Sequence, residues 1–120
     1  MNFDFSDDQR MLRDQARRFL EENAKPREIL EGDQPFDRGL WKKIAELGWM
    51  GAAISEEDGG IGLTHIDLCV IAEELGRSLA PVPFASSIYL GREAIAIAGS
   101  PDQKQAHLAG LCDGSKIGCL

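Results

Sequence analysis

Apolar positions are densest in residues 54–79, ISEEDGGIGLTHIDLCVIAEELGRSL, where an acidic, glycine-rich turn runs into a helix signal. Thr64, followed three residues later by Asp67, fits a capping box, in which hydroxyl and carboxylate satisfy the free backbone N–H groups of a helix start. Leu68, Cys69, Val70, Ile71 and Ala72 are apolar without a break, and Leu75 and Leu79 continue one face at a spacing of four. A surface helix carries only an apolar stripe, so this pattern predicts a central helix wrapped by neighbours on most sides.

The remaining segments read as helices packed around it. Ser6 and Gln9 form a second capping box, and Leu12, Ala16, Phe19 and Leu20 give the first helix one apolar face. Arg10, Arg13, Arg17 and Arg18 lie mostly off that face and read as a solvated basic side. Pro26 is expected to end the helix, because proline disfavours helix in the residue before it. Residues 27–36 are polar and read as a loop. Asp37 is the expected N-cap of a helix with Leu40, Trp41, Ile44 and Leu47 inward, and Gly48 suits its C-terminal turn. Residues 49–54 are expected to cross the core in extended or irregular form. Pro81 and Pro83 break the pattern before a helix starting near Phe84, whose body, 88–98, is apolar except for Arg92 and Glu93. Ser100, Pro101 and Gln103 then signal a last helix reaching about Leu111.

The pattern therefore predicts an all-α fold, an orthogonal or up-down bundle of about five helices, occupying residues 1–114. Residues 112–115 read as a turn and residues 116–120 as the beginning of a strand. Native proteins avoid unpaired apolar strands, so the chain is expected to be the front of a longer polypeptide.

Composition narrows the function. At 120 residues and 43% hydrophobic the chain fits one globular domain, and its net charge of −7 argues against nucleic acid and anionic membranes, which need a basic surface. No apolar run approaches the roughly 20 residues of a membrane span. The acidic start, MNFDFSDDQR, is unlike a targeting peptide and points to the cytoplasm. Cys69, Cys112 and Cys119 are an odd set without a C-x-x-C pair, which fits a reducing compartment, with Cys69 as a small core hydrophobe.

Candidate chemistry is sparse. Gly59-Gly60-Ile61-Gly62 lacks the lysine of a phosphate loop and the spacing of a dinucleotide fingerprint, and Glu56, Glu57 and Asp58 would repel phosphate. It reads as a tight turn. Glu73 and Glu74 point about 100° apart on a helix, so they are no catalytic pair. Either is placed to meet Arg77. His65 and His107 are isolated from each other, and neither a metal-ligand spacing nor a nucleophile arrangement is visible.

Four stretches nevertheless resemble one family. Phe5-Ser6-Asp7-Asp8-Gln9-Arg10-Met11-Leu12-Arg13 resembles the opening helix of acyl-CoA dehydrogenases. Leu47-Gly48-Trp49-Met50-Gly51, followed by Ser55-Glu56-Glu57-Asp58-Gly59-Gly60-Ile61-Gly62, is similar to their N-terminal signature. Glu73-Glu74-Leu75-Gly76-Arg77 and Ala98-Gly99-Ser100-Pro101-Asp102-Gln103-Lys104 match in kind, order and spacing.

The resemblance implies a subunit with a helical N-terminal domain, a β-sheet middle domain and a C-terminal bundle that builds a tetramer, this chain matching the first part. Such enzymes oxidise an acyl-CoA to the trans-2-enoyl-CoA. A glutamate takes the α-proton, a hydride passes to FAD, and electrons go on to an electron-transfer flavoprotein. It implies no catalytic or FAD-binding residue in this chain, which alone is expected to be inactive, but one wall of the acyl pocket: Val82, Ser86, Ser87, Tyr89 and Leu90. A spacing of four puts Val82, Ser86 and Leu90 on one face. Leu79-Ala80-Pro81-Val82-Pro83-Phe84 departs from the straight-chain members. It resembles bacterial members acting on dicarboxylic, branched, aromatic or steroid side-chain thioesters, some of them hetero-oligomers. Two further readings are a helical binding module or non-catalytic subunit on this scaffold, and a related flavin oxidase or monooxygenase.

Overall fold

The computed structural model describes residues 2–120, leaving Met1 of the expected 1–114 domain outside the described residues. The fold is an all-α bundle, with no strand among the described residues. Its helices are α1 (Asp7–Asn23), α2 (Pro26–Glu31), α3 (Arg38–Glu46), α4 (His65–Arg77), α5 and α6 (Pro101–Cys112). Helix α5 has two windings, a π-helical segment Ala85–Arg92 that continues as α-helix Glu93–Ala98. Short 3-10 turns at Trp49–Gly51 and Glu56–Asp58 bridge α3 and α4. All three capping-box sequences form their boxes, at Ser6/Gln9, Thr64/Asp67 and Ser100/Gln103.

The core forms where α1 lies along α4. Ala16 and Leu20 of α1 join Leu68, Ile71 and Leu75 of α4, and Trp49, Met50, Phe84 and Ile88 complete the cluster. Trp41 donates its Nε1–H to the Gly114 carbonyl at 3.0 Å, tying α3 to the turn after α6. Phe19 meets Trp49 edge to face at 5.4 Å, which adds to the burial of both rings.

Several expectations need correction. Helix α1 does end ahead of Pro26, at Asn23, but Pro26 itself starts α2, so residues 27–31 are helix and not loop, because proline at the first helical position loses no hydrogen bond. Residues 49–54 run through the core in the irregular form of the two expected, opening with a buried 3-10 turn at Trp49–Gly51. Leu47 caps α3 and is 46% exposed, since the chain turns at Gly48, in left-handed conformation, before Leu47 can face inward. Helix α4 shows only part of its surface to neighbours, so Cys69 is exposed rather than in the core. Leu79 lies beyond the end of α4 with φ 50° and is 72% exposed, so a helical spacing no longer applies to it. Residues 117–120 have no regular structure.

Arg17 also leaves the solvated role expected of it. It reaches across the α1–α4 seam to Glu74, which is buried, with Nε and Nη2 at 3.1 and 2.8 Å from the two carboxylate oxygens. Arg77, expected to meet Glu73 or Glu74, pairs instead with Glu21 at 3.4 Å. The hydrogen bonds from Arg17 hold the Glu74 carboxyl below the usual carboxylate range, against the opposing effect of burial. A carboxyl whose folded pKa is lowered stabilises the fold above the unfolded value, and that contribution is lost as pH falls through the lowered one. Arg17→Met should therefore lower the melting temperature at neutral pH, with the gap to wild type narrowing through the acidic range as Glu74 protonates. Melting curves of both proteins from pH 7 down to about 3 check this, and parallel curves would show that the pair is not coupled to folding.

Candidate functional site

The five candidate residues lie on and just before the π-helical half of α5. Phe84 anchors its start in the core, and Tyr89 packs on Phe84 edge to face at 5.5 Å. Val82 is half-buried against the core cluster. Ser86 is half-buried, its hydroxyl donating to the Pro83 carbonyl at 3.3 Å. Burial pushes the Tyr89 hydroxyl up to about 12, so it stays protonated at neutral pH. Leu90 is 49% exposed.

Ser87 stands apart from the other four. It is fully buried, and its hydroxyl accepts the Gly118 N–H at 3.1 Å. One turn on, a Cβ at Gly91 would stand 3.1 Å from the Gly118 backbone, so glycine is what lets residues 117–120 lie directly on the helix. The two contacts seat the end of the described chain against the candidate wall.

Winding changes which side chains share a face. In a π-helix, hydrogen bonds run from i to i+5, so residues four and five apart align. The buried set is Ser87, Ile88, Gly91 and Arg92, at such spacings, while Ala85 and Leu90, five apart, are both exposed. The spacing of four that grouped Val82, Ser86 and Leu90 assumes an α-helix. Ala85 lies outside that grouping for this reason, and the burial of Arg92 is a matter of packing against distant residues. The one visible signal was Arg92-Glu93, two charges inside an apolar run.

The glycine turn is closed by its own backbone, with Gly59 and Gly62 at positive φ as a tight turn requires. The N–H groups of Gly59, Gly60, Ile61 and Gly62 are bonded to the carbonyls of Glu56, Ser55, Gly51 and Ile54, at 3.1, 2.9, 3.0 and 2.8 Å. None is free to cradle a phosphate, and exposed Glu56, Glu57 and Asp58 add repulsion. These residues do not fit the diphosphate of a flavin nucleotide. Among the described residues no cluster of histidine, cysteine, aspartate or glutamate is placed to hold a metal, and no helix is long and apolar enough to cross a membrane. A surface hollow of about 840 Å³ between α2 and Leu79–Pro81 contains none of the five candidates.

The described residues thus form a capped helical bundle with a tight acidic glycine turn and a helix, α5, whose π-helical half is partly exposed. Residues 6–115 match the acyl-CoA dehydrogenase N-terminal domain family, and the chain belongs to the acyl-CoA dehydrogenase family. It is 31% identical over 121 residues to the probable acyl-CoA dehydrogenase YngJ of Bacillus subtilis, covering 98% of this chain and 32% of that protein. It is likewise 31% identical over 124 residues to the benzylmalonyl-CoA dehydrogenase of Aromatoleum aromaticum, covering 100% of this chain and 33% of the relative. The structure of an acyl-CoA dehydrogenase complexed with FAD from Bacillus anthracis superposes with a TM-score of 0.82 at 30% identity, over 95% of this chain and 20% of that one. The chain thus spans a third or less of the length of these relatives.

Proposed function

We propose that residues 1–114 work as the helical N-terminal domain of an FAD-dependent acyl-CoA dehydrogenase, with 115–120 leading into a β domain. In this reading the protein oxidises an acyl-CoA to the trans-2-enoyl-CoA and passes electrons to an electron-transfer flavoprotein, as a homo- or hetero-oligomer such as a tetramer. The observation that carries it is the family match over residues 6–115, on an all-α fold.

FAD supplies the hydride acceptor from parts of the protein outside this chain, since the glycine turn here offers it no free donor. What this domain adds is shape. Leu90, the exposed candidate, stands nearest the acyl chain with half-buried Ser86 beside it, Val82 and Tyr89 support them, and Ser87 holds the helix from behind. Pro81, Pro83 and Phe84 start the wall differently from straight-chain members, and likeness to a benzylmalonyl-CoA dehydrogenase supports a bulky, ring-bearing or branched acyl group.

Photolabelling tests this reading. An acyl-CoA with a diazirine at the end of its acyl chain, irradiated with the flavoprotein and digested, should label the peptide holding residues 82–92. Labelling confined to peptides outside this domain would overturn the placement of the wall.

A further inference from the structure

Arg92 is the least expected residue of the fold. Its side chain is fully buried, where a guanidinium carries a large desolvation cost and an apolar side chain of similar size would fill the space. Nη1 donates to the Met50 carbonyl at 2.6 Å and Nη2 to Glu93 Oε2 at 3.1 Å, while Nε has no partner. The other carboxylate oxygen of Glu93 meets His65 Nε2 at 2.7 Å. One polar strap thus joins the 3-10 turn Trp49–Gly51, helix α5 and the first residue of α4.

Its position in the sequence gives the strap a role. Arg92 is the last residue of the π-helical segment and Glu93 the first of the α-helical one. π-Winding is rare and occurs mostly as single-turn bulges, frequently at functional sites, so eight residues of it require tertiary contacts to hold them. Ser87 and Gly91 are fixed to Gly118 on one side, and the guanidinium fixes the end where the winding changes. Burial alone would push the Glu93 carboxyl up, but bonds from His65 and Arg92 outweigh it and keep the carboxylate charged.

We propose that Arg92 and Glu93 are positioning residues that lock the π-winding of Ala85–Arg92 and thereby set which side chains α5 presents to the acyl group. The first half of this stands on the strap alone, and the second rests on the wall reading given above. Rewinding to α-helix would turn Leu90 and Ser86 relative to the buried face, changing the outline of the wall without changing its composition.

The test separates the two halves. In the 120-residue chain, NMR couplings across hydrogen bonds should link the amides of residues 89–92 to carbonyls five residues back, past the first turn, where the Ser87 N–H bonds the Pro83 carbonyl four back at 3.2 Å. Arg92→Met should shift them to four back, and Arg92→Lys, which keeps a buried cation, should restore the wild-type register. If Arg92→Met does not fold, Glu93→Gln is read the same way, with four-back couplings expected to appear. Five-back couplings that persist in the folded variant would overturn the lock. In the flavoprotein, Arg92→Met should change the kcat/KM ratio between ring-bearing and straight acyl-CoAs by roughly tenfold, the scale on which apolar pockets discriminate shape. A changed register with an unchanged ratio would overturn the specificity role and count against the wall, leaving the lock in place.

Discussion

Gly60→Ala should destabilise the domain by about 3 kcal/mol or more, at the upper end of what overpacking costs. A Cβ on Gly60 would collide with the Ile54 carbonyl, which is already occupied in accepting the Gly62 N–H at 2.8 Å. Nor is there slack on the other strand of the turn, where a Cβ on Gly51 would stand 2.9 Å from the Gly60 Cα. Both neighbours are backbone, so no side chain can swing aside. Gly76 provides the control, because nothing lies within 4 Å of a Cβ there and it sits in α4. Gly76→Ala should stabilise by roughly 0.5–1 kcal/mol through reduced backbone freedom. Urea midpoints of the two variants should move in opposite directions, and a Gly60→Ala midpoint at or above wild type would mean that the turn is not closed as described.

Leu75→Ala should cost about 2–5 kcal/mol, the sum of lost transfer energy and the cavity left behind. Leu75 is 6% exposed and lies in the cluster that α1, α4 and α5 share. Leu79→Ala, by contrast, should change stability by no more than about 0.5 kcal/mol, as surface substitutions do, since Leu79 is 72% exposed. Equal losses at the two sites would show that residue 79 returns to the core in solution.

That contrast shows how far pattern reading reached. Caps were legible because Ser6/Gln9, Thr64/Asp67 and Ser100/Gln103 act within one turn, and their bonds depend on little else. The all-α class followed from apolar periodicity for the same local reason. Leu47 and Leu79 failed because periodicity carries no information about where a helix stops, and both sit at ends set by the turns that follow. Arg17 and Glu74 are 57 residues apart, so their ion pair is a property of packing that no local spacing displays. Likewise the segment holding all five candidate residues was found through family resemblance, while the π-winding that orders their side chains depends on Met50 and Gly118, far away in sequence.

Ser86→Phe tests the central claim most directly. Ser86 is half-buried with only a local hydrogen bond to Pro83, so a larger side chain there should leave the melting temperature nearly unchanged while narrowing the wall. The measurement is kcat/KM of wild type and variant flavoprotein for straight, branched and ring-bearing acyl-CoAs. The account predicts a loss of about tenfold or more for the bulky members and little for the straight ones. An equal loss across the panel, tracking a fall in melting temperature, would show that Ser86 serves only the fold and that α5 is not the acyl wall.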